Sequence, residues 1–264
     1  GQVFASPPGC SSCGSTRLVY KGYGTQKIEE SLALLLPEVR VARLDQDAVR
    51  SKNLYGRTLD AFQRGDIQVL VGTQMISKGI DFPGVNLVGV LDADQGLFRS
   101  QFRAQERSYQ LLAQLAGRSG RHQGQGRILL QTRMPHHPLF GWLERDAYAA
   151  FMDQELLYRS QFGYPPYVRL LRIGLSHPHQ AMVEEAAAEL AGVWRPVLGS
   201  RLLGPAPPLT ALLRNEHRLE FWIKSEKNSE IRQRLAEWIP AELKRLLSMR
   251  KYLHLKVFVD VDPE

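Results

Sequence analysis

Apolar and polar positions along residues 15–134 predict strands and helices in turn. Short apolar runs bounded by polar residues predict buried parallel strands at 39–44, 67–71, 85–91 and 127–131. Apolar residues at helical spacing predict helices at about 25–36, 55–62 and 103–115. Because strands that alternate with helices favour a parallel sheet covered on both faces, we expect an α/β fold here.

The pattern changes after residue 134. A helix over about 138–162 is followed by Tyr164-Pro165-Pro166-Tyr167, which cannot be helical and predicts a rigid connector. The elements beyond it are, in order, a strand, a helix, two strands, a helix and a strand, at 168–176, 179–195, 200–204, 218–225, 228–247 and 252–261. This βαββαβ order is that of a ferredoxin-like split unit, so we expect a second, smaller α+β domain.

Composition and charge narrow the class of protein. The 264 residues allow two domains, and 44% hydrophobic with 23% charged residues is usual for a globular protein. No apolar run is long enough for a membrane span and no signal-peptide pattern opens the chain, so we expect a cytoplasmic protein without a membrane partner. The net charge of +7 favours a polyanionic partner, with a generally basic surface as the alternative.

Cys10 and Cys13 are the only cysteines, and they form Cys-Ser-Ser-Cys followed by Gly14. This spacing is typical of half a zinc knuckle, in which one turn supplies two of four tetrahedral ligands. No histidine lies nearby, and the chain begins with Gly rather than Met. We therefore interpret residues 1–14 as the remnant of a zinc-binding module in a fragment, with an incomplete metal site.

The strand at 67–71 runs into the loop at 72–83, which is rich in Gly, Thr and Ser. A loop in this position offers backbone N–H groups and hydroxyls to a phosphate. In the alternative interpretation, Gly72 and Thr73 form a tight turn and Asp81 caps the next element. Lys78 fits a surface role as well as a contact with a DNA phosphate.

A second motif, Gln114-Leu115-Ala116-Gly117-Arg118-Ser119-Gly120-Arg121, closes a helical pattern. Arg118 and Arg121 are three residues apart, which places them on one side of a helix. Each guanidinium stays charged and can donate two hydrogen bonds to phosphate oxygens. Such a group at a γ-phosphate raises the rate of phosphoryl transfer by orders of magnitude. The alternative is a solvated helix end with two surface arginines.

Two acidic residues, Asp92 and Asp94, follow the strand at 85–91. They could act as paired catalytic carboxylates or as metal ligands. Residues at the ends of parallel strands also cap loops or pair with arginines. We favour this structural role for both residues.

The C-terminal part has its own candidate for nucleic-acid binding. The aromatic pair Phe221-Trp222 is surrounded by cations, namely Arg214, His217, Arg218 and Lys224. Proteins that bind single strands combine cations with stacking surfaces in this way. Because neighbouring residues of a strand point to opposite faces, one of the two aromatic residues should lie in the core.

The loop at 72–83 and the motif at 114–121 resemble the fifth and sixth motifs of superfamily 2 helicases, which belong to the second RecA-like lobe of the motor. In such motors the fifth motif couples the ATP site to the DNA track. The resemblance implies three groups of site residues. Those that bind DNA are Thr73, Gln74 and Lys78. The residues that would lie towards the nucleotide are Gly79 and Asp81. The catalytic residues are Gln114, Arg118 and Arg121.

Further motifs make the resemblance more specific, and it then covers nearly the whole chain. They are Gly24-Thr25-Gln26, Arg43-Leu44-Asp45-Gln46-Asp47, Phe102-Arg103-Ala104-x-Glu106-Arg107, Tyr164-Pro165-Pro166, Leu203-Gly204-Pro205-Ala206-Pro207 and Asp260-Val261-Asp262-Pro263. In this order they resemble the PriA family of primosomal replication-restart helicases of bacteria. The resemblance implies a remnant of the zinc module at 1–14, a RecA-like second helicase lobe at 15–150 and a DNA-binding C-terminal domain at 151–264.

The resemblance also implies an activity and its partners. The expected activity is that of an ATP-dependent 3′-to-5′ DNA helicase that restarts replication at stalled or abandoned forks by primosome assembly. The expected cofactors are ATP with Mg²⁺, and Zn²⁺ with Cys10 and Cys13 as the final thiolates of its module. The expected partners are forked DNA, D-loops, single strands, single-stranded DNA-binding protein and other primosome proteins, in the bacterial cytoplasm at the nucleoid.

The sequence contains neither Gly-x-x-x-x-Gly-Lys-Ser/Thr nor Asp-Glu-x-His, which a motor of this superfamily needs for triphosphate, magnesium and water. We therefore expect no ATP hydrolysis by this chain alone. Two alternatives remain. One is the lobe of another superfamily 2 motor, such as a branch-migration helicase, which would not predict the Tyr-Pro-Pro connector. The other is a non-catalytic nucleic-acid or partner-binding module with a degenerate RecA fold.

Overall fold

The computed structural model describes residues 24–45, 52–73, 84–98, 101–117, 126–226 and 229–263. The chain divides into two compact units. The first consists of Gly1–Gly89 and Gln114–Leu129, and the second of Val90–Ala113 and Leu130–Glu264.

The elements up to residue 130 alternate between helices and strands as the sequence predicts. The helices are α1 (Thr25–Leu35), α2 (Lys52–Gln63) and α3 (Ala104–Ala116). The strands are β1 (Val41–Leu44), β2 (Val69–Gly72), β3 (Leu87–Val90) and β4 (Arg127–Leu130). Each predicted element is confirmed with ends shifted by a few residues, and a short 3₁₀ turn at Ala93–Gly96 is added.

Two pairs of strands form the described sheet structure of this part. β1 and β2 are parallel, from Val41 opposite Val69 to Leu44 opposite Gly72. Between β3 and β4, the amide of Arg127 donates to the carbonyl of Asn86 and that of Gln131 to Val90, so the partners advance in the same direction along both strands. An α/β fold is therefore confirmed. Within the described ranges the pairs are separate sheets rather than the single parallel sheet we expected.

The predicted single helix over 138–162 is wrong, because the structure has two helices there. They are α4 (Pro138–Glu144) and α5 (Tyr148–Phe162). Asp146 has a left-handed backbone with a φ of 50°, and the amide of Ala147 donates to the carbonyl of Trp142 at 2.8 Å. The break allows the rings of Trp142 and Phe151 to pack edge to face, with their centroids 5.7 Å apart.

A small core joins α3 to α4 and α5 in the second unit. Its buried members are Leu97, Tyr109, Leu112, Leu139 and Phe151. The rings of Tyr109 and Phe151 stack with centroids 4.7 Å apart. Because aromatic pairs in this geometry contribute beyond the area they bury, this stack anchors α3 on α5.

The C-terminal part has the order of helices and strands that the sequence predicts, with one additional strand and two short 3₁₀ turns. The elements are β5 (Val168–His177), α6 (Gln180–Leu198), β6 (Leu202–Ala206), β7 (Leu212–Leu213), β8 (Glu216–Glu226), α7 (Ser229–Leu247) and β9 (Lys256–Val261). The two-residue strand β7 pairs with β8 and was not predicted. The strand order is β6-β8-β5-β9, and neighbouring strands are antiparallel.

One face of this sheet packs against α6 and α7. On one side of α6, apolar residues recur at helical spacing and are buried, among them Val183, Leu190 and Trp194. The indole of Trp194 packs edge to face on Phe221, with ring centroids 5.2 Å apart. Phe221 is fully buried, whereas Trp222 is half-buried on the opposite face. The expectation that one of these two aromatic residues lies in the core is therefore confirmed.

We expect Gly204→Ala and Gly192→Ala to change stability in opposite directions. Gly204 has a φ of 93°, and a Cβ there would lie 2.6 Å from the carbonyl oxygen of Glu220. Its replacement should lower the free energy of unfolding by about 2–4 kcal/mol, because it adds backbone strain to a clash. Gly192 lies within α6 with nothing within 4 Å of an added Cβ. Alanine there should raise the free energy of unfolding by about 0.5–1 kcal/mol, since Gly is the poorer helix former. Urea unfolding measures this free energy for both variants, and equal changes in the two would contradict the prediction.

Candidate nucleic-acid and nucleotide interface

The carboxyl ends of β1 and β2 form one edge of the parallel pair. Leu44 lies opposite Gly72, so the residues that follow, Asp45 and Thr73, are placed at the same edge. Ligands of open α/β sheets bind outside the carboxyl ends of parallel strands. Thr73, one of the predicted DNA-binding residues, is exposed there. Its exposure at this edge is compatible with a contact to a phosphate.

Asp45 is held at this edge by polar contacts with α1 and β1. It is 8% exposed and accepts a hydrogen bond from the hydroxyl of Thr25 at 2.8 Å. Nη1 of Arg43 lies 3.3 Å from the same carboxylate, and Nε of Arg43 lies 3.6 Å from Glu29. These contacts fix the first turn of α1 beside the carboxyl edge. In the sequence, Arg43 and Asp45 were part of a motif without an assigned role.

Most of the predicted site residues lie outside the described part of the chain. These are Cys10, Cys13, Gln74, Lys78, Gly79, Asp81, Arg118 and Arg121. Gln114 is described, and it is exposed near the end of α3, three residues before Gly117, where the described range ends. In the described ranges, no group of three or more His, Cys, Asp and Glu residues could hold a metal ion. The contacts among the predicted site residues therefore stay a prediction.

Asp94 has the structural role that we favoured. It is 6% exposed, and it accepts hydrogen bonds from the backbone amide of Arg133 at 2.7 Å and from the hydroxyl of Thr132. Burial alone would raise the pKa of Asp94, but the bonds from Arg133 and Thr132 together hold this pKa below its usual value. The carboxylate thus joins the turn after β3 to the segment after β4. Asp92 adopts a left-handed backbone with a φ of 49°.

A buried ionic cluster joins α3 to α5. Nη2 of Arg159 lies 2.7 Å from Glu106 and 3.3 Å from Glu155, and all three residues are at most 7% exposed. Arg103 donates two hydrogen bonds to Glu106, from Nε at 3.0 Å and from Nη2 at 2.8 Å. Glu106 is therefore bound by two guanidinium groups, one from each side of the contact.

The two carboxylates of this cluster differ in their pKa values. The hydrogen bonds from Arg103, with those from Arg159, lower the pKa of Glu106 to about 2 despite its burial. Burial raises the pKa of Glu155, and its contacts with Arg159 offset this only in part. Glu106 therefore remains ionised to a lower pH than Glu155 does.

Aromatic rings extend this cluster to the C-terminal sheet. The ring of Phe102 stacks on that of Tyr164 with centroids 5.6 Å apart, and the guanidinium of Arg159 lies 5.3 Å from the Phe102 centroid. Nζ of Lys224, on β8, lies 4.7 Å from the Tyr164 centroid and donates to the carbonyl of Phe162 at 2.6 Å. The ring of Tyr164 in the connector thus lies between Phe102, which precedes α3, and Lys224 of β8. The sequence signal for these contacts was the motif around Phe102, to which we had assigned no role.

Two family models match the chain. Residues 15–123 match the helicase conserved C-terminal domain, and residues 160–264 match the primosomal protein N C-terminal domain. Together they define the class of protein, in which a helicase C-terminal domain precedes a primosomal C-terminal domain. Relatives that are similar in sequence along nearly the whole chain define the family within this class. The chain belongs to the replication restart protein PriA family.

Three relatives illustrate the extent of the similarity, and each is named replication restart protein PriA. The Haemophilus influenzae protein is 35% identical over 260 residues, which are 98% of this chain and 35% of that protein. The Bacillus subtilis protein is 34% identical over 259 residues, 97% of this chain and 32% of that protein. The Treponema pallidum protein is 38% identical over 235 residues, which are 88% of this chain and 36% of that protein. The chain thus spans about a third of the length of these relatives.

We expect Glu106→Gln to reduce the loss of stability at acid pH. The pKa of Glu106 is about 2 in the folded chain against 4.5 as a reference for the unfolded chain. Its contribution to stability is therefore present above about pH 4.5 and is lost as the pH falls towards 2, to a total of about 3 kcal/mol. Urea unfolding at several pH values between 7 and 2.5 measures this change in the free energy of unfolding. The exposed Glu144, replaced in the same way, serves as the control. Parallel pH profiles for wild type and Glu106→Gln would show that Glu106 is not the titrating group.

Proposed function

We propose that this chain is part of an ATP-dependent 3′-to-5′ DNA helicase that recognises stalled or abandoned replication forks and restarts replication by primosome assembly. The observation that carries the proposal is the order of the two matched domains in one chain, a helicase C-terminal domain followed by a primosomal C-terminal domain. The name shared by the relatives, replication restart protein, supports the biological role. The activity is proposed for the full-length protein, of which this chain is one part.

The proposed site lies along the carboxyl edge of the parallel strands and the end of α3. The residues proposed to bind DNA are Thr73, Gln74 and Lys78. Those proposed to face the nucleotide are Gly79 and Asp81, and the catalytic residues are Gln114, Arg118 and Arg121. The exposure of Thr73 at the carboxyl edge and of Gln114 on α3 supports this assignment. The arginines would stabilise the charge that develops on the γ-phosphate.

The proposed cofactors are ATP with Mg²⁺ in the full-length protein. Since this chain has no Gly-x-x-x-x-Gly-Lys-Ser/Thr loop, we propose that it does not hydrolyse ATP alone and that another lobe cradles the triphosphate. Cys10 and Cys13 are the only cysteines here, so they would supply two of the four ligands of a Zn²⁺ site.

The proposed partners are forked DNA, D-loops and single strands, together with single-stranded DNA-binding protein and other primosome proteins. The membership in a replication restart family supports DNA and the primosome as partners. The proposed location is the bacterial cytoplasm, at the nucleoid. Within the described ranges, no helix has the length and apolar character needed to span a membrane.

We also propose three parts for the chain, namely the remnant of a zinc module at 1–14, a RecA-like lobe at 15–150 and a DNA-binding domain at 151–264. The last is proposed to be ferredoxin-like. The strand order β6-β8-β5-β9 supports this, because β8 lies between two strands that α6 connects, as in a split βαβ unit.

We expect Arg121→Ala in the full-length protein to retain binding to forked DNA and to lose DNA-stimulated ATP turnover by about a hundredfold or more. The reason is that an arginine at the γ-phosphate acts on the transition state rather than on DNA affinity. Steady-state ATP hydrolysis with and without forked DNA measures the first quantity, and fluorescence anisotropy with labelled forks measures the second.

The matched control for this experiment is Arg64→Ala, which removes an exposed arginine whose side chain is 65% accessible. Its turnover should equal that of wild type. Near wild-type turnover for Arg121→Ala would remove this residue from the active site and would favour a non-catalytic binding module. Loss of fork binding in parallel with turnover would instead assign Arg121 to the DNA track.

A further inference from the structure

The C-terminal sheet has a second face, opposite the one that packs on α6 and α7. Phe221 and Ile173 belong to the packed face. Because successive residues of a strand point to opposite faces, Trp222 and Arg172 lie on the other face, where they are direct cross-strand neighbours. Phe258 is the neighbour of Gly174 across β5 and β9, and it therefore lies on this face too. We call this surface the stacking face, defined by Arg172, Trp222 and Phe258.

On the stacking face, one cation lies between two aromatic rings. The guanidinium carbon of Arg172 is 5.8 Å from the centroid of the Trp222 ring and 5.2 Å from that of Phe258. Asp260 accepts a hydrogen bond from Nη2 of Arg172 at 3.1 Å, and Glu220 accepts one from the indole N–H of Trp222 at 3.1 Å. The two carboxylates thus hold the polar edges of Arg172 and Trp222, and both rings remain partly exposed to solvent.

Gly174 explains why an aromatic ring can lie across this sheet. It is buried in the middle of β5, a strand with neighbours on both sides, where glycine weakens a strand. A Cβ at this position would overlap the ring of Phe258. The glycine therefore allows the ring to lie directly over the backbone of a central strand. Phe258 nevertheless stays 36% exposed, so this position is not explained by burial of the ring.

Cations lie beside the rings on the same face. Arg218 and Lys256 are both cross-strand neighbours of Ser176, two residues from the Gly174 position. The side chain of Lys256 is 70% accessible although it pairs with Glu216. Aromatic platforms flanked by cations complement the two parts of a single nucleic-acid strand, since bases stack on the rings and phosphates meet the cations.

We propose that the stacking face binds single-stranded DNA, with bases stacked on Trp222 and Phe258 and phosphates held by Arg218 and Lys256. In the RNA-recognition module, the aromatic residues of a four-stranded sheet stack two or three unpaired bases in a comparable way. A paired duplex offers no free base face to such a platform, so the surface selects single strands. The inference rests on the proposed function, because it identifies where in the C-terminal domain a replication-restart helicase contacts an unpaired strand.

The first test measures the affinity of this 264-residue chain for fluorescein-labelled oligo-dT by anisotropy at a fixed low salt concentration. Trp222→Leu and Phe258→Leu keep apolar bulk but remove the ring, and each should weaken binding by about 5- to 150-fold. Tyr158→Leu is the matched control, since Tyr158 is an exposed aromatic residue (47%) on α5 and is not part of the stacking face. Unchanged affinity in both folded ring variants would overturn the proposal, as would equal or tighter binding of oligo-rU.

The second test needs no variant and therefore stands if a substitution impairs folding. Oligo-dT carrying 5-iododeoxyuridine is photocrosslinked to the wild-type chain, and the adducts are mapped by mass spectrometry. We expect adducts in peptides that contain β8 and β9, and adducts found only elsewhere, or none, would overturn the proposal. The test of the proposed function reads ATP turnover of Arg121→Ala. The helicase assignment and the stacking face can therefore fail independently.

Discussion

The buried carboxylate of Glu106 is the constraint on which the second unit depends most. A charge that is 6% exposed needs compensation, and leaving one member of such a pair without its partner costs about 3–5 kcal/mol. Arg103 and Arg159 supply that compensation. Because Arg159 belongs to α5 and Glu106 to α3, the requirement fixes the two helices against each other. Apolar side chains of similar volume could match its stability, so the cluster contributes mainly by specifying one relative position.

That position has a consequence for the candidate site. α3 ends at Ala116, directly before the Gly-Arg-x-Gly-Arg motif, and Gln114 lies in its last turn. Tyr109 and Leu112, which precede Gln114 on the same helix, pack in the core with Phe151 of α5. The helix that leads to the proposed catalytic arginines is therefore anchored at its start by charge and along its length by apolar packing. A motif that places a cation at a phosphate needs such a rigid base.

Periodicity predicted the individual elements of this fold well, because hydrophobic spacing is a local property. It missed the break at Asp146, since helical spacing continues across 145–147 without Gly or Pro, and an aspartate tolerates the left-handed backbone that ends α4. It also could not pair Glu106 with Arg159, which are 53 residues apart. The motifs identified Thr73 and Gln114 as candidates. The shared edge of Thr73 and Asp45 required the register of β1 and β2, which no local pattern contains.

Within the second unit, the C-terminal sheet and the first part of α3 are linked by contiguous packing. Lys224 of β8 contacts the ring of Tyr164, Tyr164 stacks on Phe102, and Phe102 receives the guanidinium of Arg159, which binds Glu106 on α3. Lys224 is two residues from Trp222 on the same strand, so a strand of DNA on the stacking face would lie at the far end of this series. Packed interiors move as units rather than deform continuously. A continuous series of packed side chains therefore connects β8 to the first turn of α3, and the Phe102–Tyr164 stack is the contact at its centre.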